Sequence, residues 1–186
     1  IAEIKVDQFQ IWDKQNQKVT RKISETEFTY DAGDKGSFDY YMQKEIYEQP
    51  LAIKNTLIDR IKNESIDLSE LGADNLELLK KVEHVQILAC GTAFNAGFVA
   101  KYWFESLLNL SCDVEIASEY RYRNPAKRKN SLVIALSQSG ETADTLAALR
   151  LAKQNHCLAT LAICNVASST LVREADLALL TRAGTE

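Results

Sequence analysis

Three hydroxyls and a glycine fall within six residues at Ser137-Gln138-Ser139-Gly140-Glu141-Thr142. The stretch follows the apolar run Leu132-Val133-Ile134-Ala135-Leu136 and leads into a helical pattern over residues 142–154. Backbone N–H groups at a helix start lack intrahelical partners and carry the positive end of the dipole, so such a junction favours an anion. Gly140 would allow close backbone approach, and the hydroxyls add donors suited to phosphate oxygens. The loop contains neither Lys nor Arg, so an anion held there would meet only neutral donors and exchange readily. A single Ser would read as an ordinary N-cap. Three hydroxyls with a glycine favour an anion site.

Two other strand–helix junctions carry less chemistry. Cys90-Gly91-Thr92-Ala93, with Ala96, spells Gly-x-Ala-x-x-Ala, a weak variant of the dinucleotide fingerprint. Ala93 replaces the glycine that lets backbone approach a pyrophosphate, so no nicotinamide cofactor is expected, nor any other. Thr92 reads better as a contact to a sugar hydroxyl or phosphate, across a cleft from Ser137. Cys90 has no histidine placed by sequence to activate it and reads as a plain thiol. In Asn165-Val166-Ala167-Ser168-Ser169-Thr170 the hydroxyls read as caps of a short helix. Residues 121–129 hold five basic side chains around Tyr122 and Pro125. In an acidic chain they read as a solvated loop or subunit contact rather than a nucleic-acid site.

The elements that position these junctions alternate. Apolar runs at 85–90, 113–117, 132–136, 158–164 and 177–180 read as strands, and 94–108, 142–154 and 168–174 as helices. Continuous apolar strands separated by helices predict an α/β fold, a doubly wound parallel five-stranded sheet with helices on both faces. Ahead of it, residues 40–61 have helical spacing, with Pro50 marking a break or the first turn of a second helix. Residues 68–82 continue as helix, interrupted near Gly72-Ala73. These helices are expected to pack beside the sheet or to form a partner contact. Residues 1–29 read as a short β segment with turn residues at 13–17. The Gly- and Asp-rich stretch from Asp31 to Ser37 reads as a hinge.

Composition bounds the rest. With 186 residues, 46% of them hydrophobic, the chain can bury a core, and a net charge of −4 argues against nucleic acid as main partner. No apolar run reaches the roughly 20 residues that cross a bilayer, so no membrane partner is expected and the cytoplasm is the default location. The four cysteines form no Cys-x-x-Cys pair and the two histidines lack ligand spacing to them, so buried thiols are expected and no metal. The chain opens without Met inside a strand-like pattern and stops at Gly184-Thr185-Glu186, which reads as a piece of a larger protein.

At these motifs the chain resembles the glutamine:fructose-6-phosphate amidotransferase (glucosamine-6-phosphate synthase) family. The resemblance rests on Leu88-Ala89-Cys90-Gly91-Thr92-Ala93, on residues 115–123, on residues 136–145, and on Ala162-Ile163-Cys164-Asn165-Val166. Residues 40–50, containing Met42-Gln43-Lys44-Glu45-Ile46, narrow it from the wider sugar isomerase (SIS) superfamily to the synthases. The resemblance implies a flavodoxin-like SIS sheet over 76–186 as the first of two SIS subdomains. It also implies a helical lead-in at 39–75, a hinge at 30–38, and the end of a glutaminase domain at 1–29. It implies that Ser137, Gln138, Ser139 and Thr142 hold the phosphate of fructose 6-phosphate or glucosamine 6-phosphate and that Thr92 contacts the substrate. Ala93 stands where the family often has Ser, leaving its backbone N–H. The family's glutaminase Cys, enolisation Glu, ring-opening His and Schiff-base Lys match no residue of this chain, so the piece alone is expected to bind sugar phosphate weakly and to catalyse nothing. The family implies a homodimer. Alternatives are another SIS phosphosugar isomerase or deglycase, or a non-catalytic phosphosugar-sensing module.

Overall fold

The computed structural model describes residues 1–21, 23 and 34–184. The chain separates into a unit ending at Asp34 and a larger one from Lys35 to Gly184. Residues 24–29 of the expected β segment and 30–33 of the expected hinge lie outside the described residues.

The first unit is an antiparallel meander of β1 (Ala2–Ile4), β2 (Phe9–Trp12) and β3 (Lys18–Val19). Its second turn is built by Asp13, whose Oδ1 accepts the backbone N–H groups of Gln15 and Gln17, both at 2.9 Å. Asn16 takes the left-handed conformation there, with φ of +59°. Both are roles in which short polar side chains excel.

The second unit opens with α1 (Tyr41–Leu57). The helix runs through Pro50 rather than breaking at it, a correction to the sequence expectation. Proline removes one N–H and crowds the preceding turn, but nine helical residues before it and seven after it carry the element across. The next expected helical residue, Ile61, instead starts a two-stranded hairpin, β4 (Ile61–Lys62) with β5 (Ser65–Ile66). Its two central residues, Asn63 and Glu64, both have positive φ, the signature of a type I′ turn. Arg60 anchors this region: Nη1 donates to the Leu180 carbonyl at 2.7 Å while Nε and Nη2 engage the Glu70 carboxylate. A 3₁₀ turn (Ser69–Leu71) and α2 (Ala73–Leu79) follow, with Gly72 at φ +84° as the interruption between them.

The rest is the expected alternation: β6 (His84–Ala89), α3 (Thr92–Leu108), β7 (Ser111–Ile116), α4 (Ala117–Tyr120), β8 (Ser131–Ser137), α5 (Ala143–Gln154), β9 (Ala159–Cys164), α6 (Thr170–Glu174) and β10 (Leu177–Leu180). The one-turn α4 is the element the sequence did not announce. All strand pairs are parallel, in the order β10-β9-β8-β6-β7.

Side chains alternate between the two faces. Val85, Ile87, Leu132, Ile134 and Leu161 point to a cluster closed by Ala100 and Phe104 of α3 and by Leu76 and Leu79 of α2. Leu88 and Val133 point the other way, onto Tyr120 and onto Ala148 and Ala152 of α5. Ala135 and Ala162 continue that face beneath Leu146, Leu149 and Leu171. Both faces are therefore covered, and each fully buried leucine contributes roughly 1.5–3 kcal/mol.

One glycine sets how closely α3 lies on the sheet. A Cβ at Gly97 would fall 2.8 Å from Ile87 Cγ2 and 3.3 Å from Val114 Cγ1. Gly97→Ala should therefore destabilise the protein by about 1–3 kcal/mol despite the better helix former, read by urea denaturation. An unchanged midpoint would mean that α3 can lift without cost.

His84 starts β6 at 4% exposure. Its Nε2 is 3.2 Å from Asp113 Oδ2 and its Nδ1 3.1 Å from Ser131 Oγ. A carboxylate only accepts, so Nε2 carries a proton, and in the neutral ring Nδ1 accepts from the Ser131 hydroxyl. Burial first, and then the Arg128 charge, hold the imidazole pKa below 6.5, outweighing Asp113. Because the unfolded chain binds this proton more readily, His84 supports folding fully above about pH 6.5 and progressively less below it. Denaturation titrations from about pH 7.5 to 5 should show that loss, and His84→Gln should flatten the slope. An equal slope in the variant would assign the loss to other groups.

Candidate functional site

In an open parallel sheet, the crevice lies where neighbouring strands send their connections to opposite faces. Here that occurs between β6 and β8: β6 leads into α3 on one face, and β8 into α5 on the other. A cavity of about 290 Å³ opens beyond the carboxyl ends of these two strands. Thr92 and Ala93, at the start of α3, form one wall. Ser137, Gln138, Ser139 and Thr142 form the other. The six residues singled out from sequence are thus brought together. Leu136, Cys90 and Thr145 complete the lining. Thr145 was missed, although it stands one helical turn after Thr142, a spacing that puts both on one helix face. Its hydroxyl lies 3.9 Å from Cys90 Sγ, joining the two walls. Cys90 therefore lines the cleft rather than sitting in the core.

Hydrogen bonding within the loop fixes which valences remain for a ligand. Ser137 Oγ accepts from the Gly140 N–H at 3.0 Å, and Ser139 Oγ from the Glu141 N–H at 3.3 Å. Each hydroxyl spends an acceptor lone pair on the backbone and keeps its O–H free to donate. Thr142 stands at the N-cap position of α5, yet its side chain accepts no bond from the helix. Its hydroxyl is free as well. The first turn of α5 adds N–H groups with no intrahelical acceptor. The loop thus presents a set of neutral hydroxyl and backbone donors to the cleft, the polarity that an oxyanion requires.

Gly140 serves a purpose other than the expected one. Its φ of +67° suits glycine, but it is buried, and a Cβ there would meet Ser169 Oγ at 2.2 Å and Cys164 Sγ at 2.7 Å. The close approach is to the β9–α6 junction, not to the cleft. Further bonds clamp the loop there. The Gly140 carbonyl accepts from Leu171 N at 3.0 Å and the Gln138 carbonyl from Asn165 N at 3.2 Å. Glu141 Oε1 accepts from Thr170 N at 2.7 Å, and this N–H holds the carboxyl below its ordinary pKa. Ser169 caps α6 by accepting from Val172 N, the capping role expected of that hydroxyl cluster. The third junction thus supports the loop from behind.

The basic segment 121–129 lies elsewhere. Arg123 pairs with Glu115, Arg128 with Asp113 at 2.7 Å, and Arg121 with Asp144 at 2.5 Å. Among the described residues no three His, Cys, Asp or Glu side chains gather as a metal site, and no helix is long and apolar enough to cross a membrane.

Residues 78–186 match the model of the SIS domain. Over all 186 residues the chain is 63% identical to the glutamine–fructose-6-phosphate aminotransferase [isomerizing] of Pectobacterium atrosepticum and to that of Escherichia coli K12. It spans 30% of the length of each of these relatives. Among solved structures, the C-terminal domain of glucosamine-fructose-6-phosphate aminotransferase from Francisella tularensis superposes with a TM-score of 0.76 at 47% identity, covering 82% of this chain and 42% of that one. The tagatose-6-phosphate ketose/aldose isomerase of Escherichia coli superposes with a TM-score of 0.63 at 26% identity, covering 78% of this chain and 41% of the other. Sheet order, switch-point cleft and sequence agree: the chain belongs to the SIS domain family.

Proposed function

We propose that this chain supplies the sugar-phosphate-holding half of the isomerase site in an enzyme that makes glucosamine 6-phosphate from fructose 6-phosphate and glutamine. The observation that carries the reading is the switch-point cleft walled by Thr92 and Ala93 on one side and by Ser137, Gln138, Ser139 and Thr142 on the other. Identity of 63% to aminotransferases along the whole chain supports fructose 6-phosphate as the sugar. Within this reading, Ser137, Ser139 and Thr142 donate hydroxyl protons to the phosphate oxygens. Gln138 and the Ala93 N–H line the same anion, and Thr92 reaches a sugar hydroxyl. Such contacts anchor the end of the substrate remote from the bond changes, which is positioning. Ring opening, amination and proton transfer between C1 and C2 need acid–base groups that belong to the remainder of the enzyme.

The division of the chain follows the same reading. Residues 1–29 are the end of a glutaminase domain, 30–38 a hinge, 39–75 the lead-in of the isomerase domain, and 76–186 most of its first SIS subdomain. The whole enzyme is a cytoplasmic homodimer.

Isothermal titration of the chain with fructose 6-phosphate and glucosamine 6-phosphate tests the site. Ser137→Ala, Ser139→Ala and Thr142→Ala should each weaken binding by about tenfold or more, since a hydrogen bond to a charged group contributes about 1.5–3 kcal/mol. Unphosphorylated fructose should not compete. Unchanged affinity in all three variants would remove the loop from the site. Ala93→Ser should restore a donor to the opposite wall and tighten phosphosugar binding severalfold, by about 0.5–1.5 kcal/mol for one added bond. A weaker complex would place the phosphate away from α3.

A further inference from the structure

The basic segment finds no use in the cleft above, and it closes a second cavity at the opposite, amino edge of the same sheet. The space is about 220 Å³, roughly that of seven waters at about 30 Å³ each. Its floor is polar and buried: His84, Gln86 and Ser131 stand at 4, 8 and 7% exposure. Asn155, just past the end of α5, lines one wall together with Tyr120. The Asn155 Nδ2 atom is buried and makes no hydrogen bond of good geometry, although the Tyr120 hydroxyl beside it feels the amide as a weak donor. Buried amide donors without partners are rare, because desolvating them is costly. This one borders a cavity, so its missing acceptor has room to arrive as a ligand.

Charge selects the ligand class. Arg123, Lys127 and Arg128 line the opening. Arg123 is matched by Glu115 and Arg128 by Asp113. Burial and then the Arg128 charge hold the His84 imidazole below its ordinary pKa, which favours the neutral ring. Lys127 forms no ion pair among the described residues, which leaves one uncompensated positive charge at the mouth of the cavity. We propose that this cavity is a second ligand site, for a small molecule bearing an oxyanion. Its negative group accepts from Asn155 Nδ2 and pairs with Lys127. The site lies at the other end of the strands from the sugar-phosphate cleft and does not depend on the reading given to that cleft.

Carboxylate and phosphate share this chemistry, so both serve as probes. The full chain, labelled with ¹⁵N, is titrated with inorganic phosphate in one arm and acetate in another, and side-chain amide and imidazole signals are followed. Saturable shifts of the Asn155 side-chain amide and the His84 ring are expected in at least one arm, and the arm that responds identifies the anion. Lys127→Ala, at an exposed position that cannot compromise folding, should weaken those shifts at least fivefold. Asn155→Leu should abolish the His84 ring shift while Ser137 and Ser139 still respond to phosphate. Ser137→Ala should leave the Asn155 and His84 shifts untouched. The proposal is overturned if Asn155 and His84 stay silent in both arms, or if Lys127→Ala binds as tightly as the parent chain. Silence at residues 137–142 with response at Asn155 would instead count against the sugar-phosphate cleft alone.

Discussion

The structure depends on a parallel sheet that must bury both of its faces. Strands such as Val85–Ala89 and Leu132–Leu136 carry apolar side chains on either side, so helices have to cover both. Right-handed crossovers then force the chain to leave β6 towards one face and β8 towards the other. The crevice between their carboxyl ends follows from that geometry before any functional residue is chosen. Gly97 fixes one side of the crevice by letting α3 settle onto Ile87, and it thereby sets where Thr92 and Ala93 stand.

The other wall is held by a second close contact. Gly140 lies against Ser169 and Cys164, and the bonds from Asn165 N after β9 and from Thr170 N and Leu171 N of α6 pin the loop to that junction. The consequence is chemical as well as mechanical. With Gly140 N and Glu141 N satisfied by Ser137 and Ser139, the loop cannot fold over its own hydroxyls, which stay turned to the cleft as donors. A wall of this kind is preorganised: its dipoles are oriented before an anion arrives, and little ordering remains to be done on binding. Because none of its donors carries a full charge, it favours an oxyanion without holding it as firmly as an arginine fork would.

Much of this could be read from residue order, because the governing signals are local. Apolar runs of strand length between helical patterns located all five strands of the parallel sheet, with no end off by more than two residues. Hydroxyl density at one strand–helix junction located the loop. What escaped depended on partners distant in sequence. Gly140 looks like a glycine kept for a ligand until Ser169, 29 residues later, is seen beneath it. Pro50 looks like a helix boundary because its neighbours' ability to carry a helix across it is a collective property. Asn63-Glu64 carries no glycine, so its I′ turn lacks the usual mark. The amino-edge cavity combines His84, Tyr120, Lys127 and Asn155 from four separate segments, and no spacing rule joins them.

The two ends of the sheet differ in a way that bears on how each meets an anion. At the carboxyl end, oriented backbone and hydroxyl dipoles face a cleft with no cation in its loop, so attraction is short-ranged and depends on geometry. At the amino end, guanidinium groups are already spent on Glu115 and Asp113, which anchor the 121–129 segment over β7 and leave Lys127 as the long-range term. That lysine is exposed, so its pull fades within a Debye length, about 8 Å at physiological ionic strength. What keeps a ligand beyond encounter must therefore come from the buried floor, where a hydrogen bond is not diluted by water. Asn155, on the wall above that floor, holds a buried Nδ2 that makes no hydrogen bond of good geometry. Specificity at both ends thus rests on uncharged donors fixed in place by the fold, with charge confined to holding the loops that carry them.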